Sequence, residues 1–282
     1  MNFIKFSLIS CMLGVGSWST AAPVPGWTGF YVGINGGYSN THNKDHTDLS
    51  TVRTLPSAAT TSALAAATSV TAATSSFSAN NDNFIGGGQI GYSYSLNQFV
   101  LGVEADIQGI TPEIDTVSSQ QVVAIPTFRT SRIASNLFLD QSIDYLGTVR
   151  GRFGVLATSS LLLAATGGYA YGGVRSDTDL TQSYLGTANN LVRTFTSDGS
   201  SSSTRNGWTV GGTLEWRFQG QWSTKLEYLY YDLGSFTCNA TPLTSLINDG
   251  PDAGKPLFVN AVSTTSRFDG HIVRLGINYL FA

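Results

Sequence analysis

Residues 208–231 read WTVGGTLEWRFQGQWSTKLEYLYY, and this stretch decides the fold. Apolar and polar side chains alternate over residues 208–218 and again over residues 222–231. An alternation with a period of two is typical of a β-strand, because successive side chains point to opposite faces of a sheet. Only residues 219–221 separate the two runs, so the stretch predicts two antiparallel strands joined by a short turn.

Six further segments alternate in the same way and are separated by stretches rich in Ser, Thr and Asn. They cover residues 27–38, 84–94, 99–107, 143–155, 161–173 and 270–281. The pattern is weakest in the fifth strand, residues 161–173, whose larger apolar face holds Leu161, Leu163, Ala165, Tyr169 and Tyr171. All eight prolines lie outside the eight segments, as expected of a residue that cannot donate a ladder hydrogen bond. The sequence therefore predicts eight strands.

The lengths of the strands and of their connections favour a membrane-spanning barrel. Strands of about ten residues have the length that tilted strands need to cross a bilayer. Short connections at residues 95–98, 157–160 and 219–221 alternate with long ones at about 39–83, 111–140, 176–206 and 234–267. Short periplasmic turns and long extracellular loops characterise outer-membrane barrels. We expect an all-β fold, an antiparallel up-and-down transmembrane β-barrel of eight strands.

The positions of the charges support a lipid-facing outer surface. Nine charged residues in the central parts of the strands all have the polar-face parity, and they are Glu104, Asp106, Arg150, Arg152, Glu215, Arg217, Lys225, Glu227 and Arg274. An Arg or Lys facing lipid near the midplane would cost about 2–4 kcal/mol, so the apolar faces are expected to be free of charge. Aromatic residues gather near the ends of those faces, where amphipathic rings favour the membrane interface. A soluble barrel of the lipocalin type would need no such belt.

The N-terminus and the composition are consistent with export to the cell outer membrane. Residues 1–22 combine Lys5, an apolar run and a series of small residues, and this is typical of a cleaved signal peptide that leaves residues 23–282 as the barrel. A lipoprotein signal ending at Cys11 is the alternative. After cleavage near residue 22, Cys238 is the only cysteine, so no intramolecular disulfide is expected. The net charge of −3 argues against nucleic acid as a partner.

Three motifs carry a resemblance to a known family: WTGFYVGINGGY at residues 27–38, GVEAD at 102–106 and RLGINYLF at 274–281. They resemble the small porin-like outer-membrane surface antigens, which are relatives of the OmpA-type membrane domain and the opacity proteins. The resemblance implies that the last strand, with Tyr279 and Phe281, is the signal read by the barrel assembly machinery. Here Ala282 follows Phe281, which departs from the family pattern.

Two functions remain open for such a barrel. An eight-stranded interior is just wide enough for side chains to fill, so ion pairs such as those between Glu104 or Asp106 and Arg150, Arg152 or Arg274 predict a plugged structural scaffold. This scaffold would support envelope integrity, lie in outer-membrane lipid and lipopolysaccharide, and meet a host or surface ligand through its loops. The alternative is a narrow porin that passes small ions or solutes.

Neither a cofactor nor catalysis is expected from the residues. A lipid-modifying barrel enzyme would need Ser, His and a carboxylate on the outer rim, and only His271 lies on a predicted strand. A metal site formed by His42, Asp45, His46 and Asp48 in the first loop is conceivable, but such side chains in a polar loop are more often solvated. Residues 57–76 of the same loop are nearly all Ala, Ser, Thr and Val, so we expect this stretch to lack a core of its own, although part of it could be helical.

Overall fold

A computed structural model describes residues 26–51, 60–111, 115–126, 128–186, 191–246, 256–258 and 260–281. The elements in chain order are β1 (Gly29–Thr51), α1 (Thr60–Ala73), β2 (Ser75–Leu96), β3 (Phe99–Ile110), β4 (Asp115–Ile125), β5 (Phe128–Thr158), β6 (Leu161–Leu185), β7 (Leu191–Gln219), β8 (Trp222–Asn239), β9 (Thr244–Leu246), β10 (Pro256–Phe258) and β11 (Asn260–Phe281). The expected signal peptide lies outside the described residues. No helix in the described part of the chain is long and apolar enough to span a membrane.

Eight of the strands close into a ring. The order is β1, β2, β3, β5, β6, β7, β8 and β11, and every neighbouring pair is antiparallel. The ring closes where β1 pairs with β11, from Phe30 opposite Phe281 to Thr51 opposite Asn260. Closure removes the free sheet edges that cannot be tolerated in lipid. The predicted all-β class and the eight-stranded barrel are confirmed.

The end of the barrel that carries the short turns has an apolar outer surface. Large apolar side chains are exposed there, among them Val103 at 60% and Ile34 at 71%. In β6, Leu163 and Tyr169 face outward while Leu162 and Ala170 are buried inside, so the weakly patterned fifth strand has the predicted parity. We call this part the membrane half. It consists of residues 29–38 of β1 and the residues of the other strands at the same height.

The strands continue well beyond the membrane half, and this corrects the expected loop boundaries. The ranges 39–83, 111–140, 176–206 and 234–267 were expected as loops, but large parts of them are strand. The 23 residues of β1 span about 75 Å at 3.3 Å per residue, or about 55–60 Å in height at a tilt near 40°. An apolar band on a barrel of this class is about 25 Å tall, so roughly half of the barrel stands outside the membrane.

This extracellular half differs from the membrane half because its apolar residues face inward. In β5 the change is caused by a bulge between Ile143 and Tyr145. Odd-numbered residues before the bulge point into the interior, and odd-numbered residues after it point outward. Val149 therefore faces lipid, whereas Leu139 and Leu137 are buried in the interior. The extracellular half therefore has a hydrophobic core like that of a soluble protein.

The wall of the extracellular half consists of two facing sheets. Pairing between β2 and β3 ends at Ile85 opposite Ile110, and pairing between β7 and β8 ends at Trp208 opposite Asp232. Beyond these points β8, β11, β1 and β2 form one sheet, while β4, β5, β6 and β7 form the other, to which β9 and β10 are added beside β7. Leu49, Leu137, Leu139, Leu180, Leu243 and Val262 pack between them.

Helix α1 lies against this core, so part of the stretch 57–76 is helical, as the sequence allowed, and it packs on a core that the two sheets supply. Ala72 and Ala73 are each 1% exposed, and Ala73 belongs to the core between the two sheets. Ser69 donates to Gln182 of β6, whose Nε2 returns a 2.9 Å hydrogen bond to the Ser69 carbonyl. Asn260 Nδ2 donates to Ser69 Oγ at 2.9 Å. The helix thus bridges strands of both sheets.

Candidate functional site in the barrel interior

The structure places all nine predicted interior charges inside the membrane half. None of these residues is more than 6% exposed. They come from five strands and are Glu104 and Asp106 of β3, Arg150 and Arg152 of β5, Glu215 and Arg217 of β7, Lys225 and Glu227 of β8, and Arg274 of β11. Because adjacent strands bring them to similar heights, eight of the nine form one connected network.

Arg150 is the centre of the network. Its guanidinium donates to Glu104 at 2.5 Å, to Asp106 at 2.6 Å and to Glu227 at 2.6 Å. All four of these side chains are fully buried. A buried charge is tolerated only when it is paired and hydrogen-bonded, and Arg suits this position because its planar group offers several donors at fixed angles.

Two further cations balance the same carboxylates. Arg274 donates to Asp106 at 2.8 Å and to Glu227 at 2.6 Å. Lys225 Nζ lies 2.8 Å from Glu104 Oε1 and 3.5 Å from Glu227. Each carboxylate therefore contacts at least two cations, which is the arrangement that a water-poor interior requires.

Arg152 extends the network toward the turn end of the barrel. It donates to Glu215 at 2.7 Å and to the Tyr31 hydroxyl at 2.6 Å, and that hydroxyl donates to Glu104 at 2.5 Å. Tyr31 lies directly over Gly91, where a Cβ atom would come within 2.3 Å of the hydroxyl oxygen. A glycine at position 91 is therefore necessary for this link.

Arg217, the ninth charge, lies at the turn end of the interior and packs against Trp27. Its guanidinium stacks over the ring of Trp27 at 4.4 Å, and its Nη1 lies 3.4 Å from the Gly26 carbonyl. Trp27 is 5% exposed, packs with Val100 and Leu162, and donates to the Ser159 carbonyl at 3.2 Å. These contacts close the periplasmic end.

An apolar layer covers the charged network on the extracellular side. It is built from buried residues of six strands, and Leu146, Leu229, Tyr231, Phe268 and Ile272 are among them. Cys238 is also part of this layer and is 1% exposed. From the periplasmic end upward, the interior thus contains Trp27 with its contacts, then the charged network, then the apolar layer.

A polar layer separates the apolar layer from the core beside α1. Gln141 Nε2 donates to Asp45 at 2.8 Å and to Ser266 at 2.6 Å. This contact links β5 directly to β1 and β11 across the interior. Burial raises the pKa of the Asp45 carboxyl, and the hydrogen bonds from Gln141 and Ser266 oppose that rise.

The sequence argument missed Trp27 as part of the interior. The alternation places Tyr31 on the polar face of its strand, but it did not predict that this hydroxyl links Arg152 to Glu104. Trp27 lies just before β1 begins, where alternation carries no information. A bulky aromatic residue at the start of the first strand is the only signal that could have found it.

The proposed assembly signal lies in the strand that closes the ring. Phe281 is 53% exposed on the outer face, opposite Phe30 of β1. The ring of Tyr279 packs edge-on against Trp222 and Phe281, and its hydroxyl donates to Gln221. Both aromatic residues therefore remain accessible at the periplasmic rim.

His42 and His46 lie in a strand, which corrects their expected place in the first loop, whereas His271 lies in a strand as predicted. His42 and His46 belong to β1 and share its outer face with Asp48, while Asp45 points into the interior. These four residues therefore do not converge on one point. Among the residues that the structure describes, no group of three or more His, Cys, Asp or Glu side chains is arranged to hold a metal ion.

A closed ring of long antiparallel strands, apolar outside and charged inside, defines a transmembrane β-barrel of the outer-membrane class. The sequence profile of one family, described as the outer membrane protein beta-barrel domain, matches residues 8–281. The chain belongs to this family, and it is an outer-membrane protein.

Relatives of known sequence include the 31 kDa outer-membrane immunogenic proteins of Brucella melitensis biotype 1 and Brucella suis biovar 1. Each is 32% identical over 267 residues, which cover 93% of this chain and 88% of the relative. Among solved structures, Ail, the attachment invasion locus protein of Yersinia pestis, is 10% identical, with 85% of this chain and 98% of that chain covered and a TM-score of 0.26. The outer membrane protease OmpT from Escherichia coli is 10% identical, with 90% and 97% covered and a TM-score of 0.36.

Proposed function

We propose that this protein is a non-conducting structural barrel of the outer membrane that displays its extracellular half on the cell surface. The observation that carries the proposal is the filled interior. Arg150 and its three carboxylate partners have no solvent exposure, and apolar layers lie above and below them. An ion entering this path would have to break several buried ion pairs, which is expensive in a water-poor medium.

We further propose that the protein is not an enzyme. The buried charged groups contact one another and leave no carboxylate or cation of the network open to a substrate. His271, on the outer face, is bonded through Nδ1 to the Tyr228 hydroxyl at 2.7 Å, and its ring packs against the rings of Tyr228 and Tyr230. The relatives named as immunogenic outer-membrane proteins are consistent with a surface protein.

The partners that we propose follow from the two halves. Outer-membrane lipid and lipopolysaccharide cover the membrane half, and the assembly machinery reads the terminal strand with Tyr279 and Phe281. The extracellular half, which stands about 30 Å above the lipid by the height estimate above, is the part available to a host or surface ligand.

Planar-bilayer recording of the refolded mature protein tests whether the lumen conducts. Insertion is verified first by heat-modifiable mobility on a gel. We expect no reproducible single-channel steps from the native chain. Reproducible steps whose conductance changes in Arg150→Ala, but not in the control Arg175→Ala, would contradict the scaffold and favour a narrow porin. Arg175 is an exposed arginine on the outer face.

Cysteine labelling on intact cells tests the display of the extracellular half. Val103 of the membrane half and Val122 of β4 are both 60% exposed and provide a matched pair. We expect Val122→Cys to react with a membrane-impermeant maleimide and Val103→Cys to remain unlabelled, because lipid covers it. The native chain is the background control, since Cys238 is buried. Equal labelling of both variants would contradict the assigned membrane position.

A further inference from the structure

Two adjoining depressions form one groove in the outer wall of the membrane half. The first has a volume of about 460 Å³ and lies over β3, β5 and β6. The second has a volume of about 550 Å³ and extends from β5 to β8. Phe153 and Ala165 line both depressions. The groove therefore crosses five strands of the ring on the surface that faces lipid.

The floor of the groove carries almost no side-chain atoms. It is formed by outward-facing Gly151 of β5, Ala165 and Gly167 of β6 and Gly212 of β7. Gly151 lies opposite Gly167, and Ala165 lies opposite Gly212, so the four residues are contiguous. The fold does not require glycine at these places, because the nearest atoms to a Cβ at Gly151 and Gly212 would be 3.9 and 3.7 Å away. The missing side chains are therefore a property of the outer surface and not of the packing inside.

The lining of the groove matches a hydrocarbon chain. Its walls are apolar, and Phe153, Leu163 and Leu226 are exposed along them. Arg152 borders the groove, but its guanidinium is bonded to Glu215 in the interior, so its charge does not face outward. The groove lies within the lipid-facing band and is continuous with it. A second barrel would present a convex wall, and the ring of Phe153 between the two depressions keeps such a wall from the floor.

The height of the groove assigns it to the periplasmic side of the membrane. Leu163 lies two residues after the start of β6 at Leu161, and Gly212 lies seven residues before the end of β7 at Gln219. At 3.3 Å per residue and a tilt near 40°, the groove extends from about 5 to about 18 Å above the short turns. The apolar band of such a barrel is about 25 Å tall, so the groove occupies its lower and middle parts.

We propose that this groove holds one acyl chain of a phospholipid of the periplasmic leaflet as an ordered lipid. The inference rests on the proposal that lipid covers the membrane half. A chain in the groove contacts the glycine floor and both apolar walls, whereas a chain against the smooth part of the ring contacts protein on one side only. Dispersion contacts are individually small and add up with their number, so the chain in the groove is held more tightly than its neighbours.

Photo-crosslinking with a phospholipid tests the site. The mature chain is refolded in phosphatidylcholine vesicles that contain a trace of phosphatidylethanolamine with a diazirine on one acyl chain, and the labelled peptides are quantified by mass spectrometry. We expect label on residues 151–155, 163–167 and 212–214 to exceed that on the other outward residues of the membrane half by about threefold. In Gly151→Leu/Gly212→Leu, which fills the floor, label on these segments should fall to the level of the remaining wall.

The matched control is Gly36→Leu. Gly36 faces outward on β1, on the opposite side of the ring from β6, and the nearest atom to a Cβ there would be 3.7 Å away. This variant is expected to keep the native labelling of the groove. All substitutions place an apolar side chain in lipid, so folding should be intact, as heat-modifiable mobility verifies. Equal losses of label in the control and in the double variant would overturn the proposal.

Native mass spectrometry of the protein extracted from outer membranes in mild detergent identifies the occupant. We expect one phospholipid on the native chain and its loss in Gly151→Leu/Gly212→Leu. Lipopolysaccharide or a second copy of the chain, retained by the native protein and lost in the double variant, would overturn the assignment. Uniform crosslinking around the ring would remove the groove site and leave the lipid-covered membrane half standing, whereas no label on any outward residue of the membrane half would refute both.

Discussion

Replacing Arg150 by Met removes the centre of the charged network while keeping a side chain of useful size. The change leaves three cations, Arg152, Lys225 and Arg274, facing four carboxylates. Glu104 keeps Lys225 and Arg152 as partners, and Glu227 keeps Arg274 and Lys225, so one net negative charge is spread over a buried cluster. Removing one partner of a buried ion pair costs about 3–5 kcal/mol, and we expect a loss of that size in the free energy of unfolding.

A second substitution restores the balance of charge. In Arg150→Met/Glu227→Gln, three cations again face three carboxylates. Because residues in one network are coupled by about 0.5–3 kcal/mol, we expect the double variant to be more stable than Arg150→Met alone. The exposed ion pair of Arg175 with Asp177 provides the control, and Arg175→Met is expected to leave the unfolding midpoint unchanged.

The assay is urea unfolding and refolding in lipid vesicles, followed by tryptophan fluorescence and by heat-modifiable gel mobility. A loss below about 1 kcal/mol in Arg150→Met would refute the reasoning, because it would mean that water reaches the cluster and screens its charges. A double variant less stable than the single one would refute it equally, since the lost charge balance would then not be the cause.

Three further predictions concern other parts of the barrel. Val103→Arg is expected to cost about 2–4 kcal/mol in vesicles, whereas Val122→Arg, equally exposed but above the lipid, should fold like the native chain in the same urea titration. Trp27→Ala should cost about 3–5 kcal/mol yet produce no channel steps in planar bilayers, because the charged layer still closes the lumen; steps would show that the layer conducts. Burial raises the pKa of Asp45 in the folded chain above its value in the unfolded chain, so folding favours the neutral carboxyl. This contribution to the free energy of unfolding is fully present below the unfolded pKa and is lost as the pH rises through the folded pKa. Asp45→Asn should flatten that part of the pH profile of unfolding, and an unchanged profile would contradict the assignment.

The membrane half was predictable because lipid imposes a simple rule on every strand. Residues facing acyl chains must be apolar, so the alternation in residues such as Trp208, Leu214 and Trp216 reports directly on the side of the sheet. The inward parity of the charges follows from the same rule. The partners of each charged residue do not follow from this rule. They depend on the register of each strand against its neighbours, and alternation does not specify the register.

The extracellular half was not predictable by this route, because the rule reverses outside the membrane. Leu137 and Leu139 have the same odd parity as Val149 but face the opposite way, since the bulge at Ile143 adds one residue to the strand. Nothing in the alternation marks that bulge. The sequence allowed a helix within residues 57–76 but did not show how it packs, because a run of Ala, Ser and Thr has no apolar stripe that would reveal which side is buried.

The two packed sheets of the extracellular half have a consequence for immune recognition. Along most of these strands alternate residues point inward, so an antibody meets mainly the outward residues of each strand, side by side with those of the neighbouring strands. An epitope on this surface is therefore assembled from several strands and would be lost in a short linear peptide. Substitutions that related chains tolerate should be concentrated at the outward positions, and buried strand residues such as Leu139 and Leu180 should persist between variable neighbours.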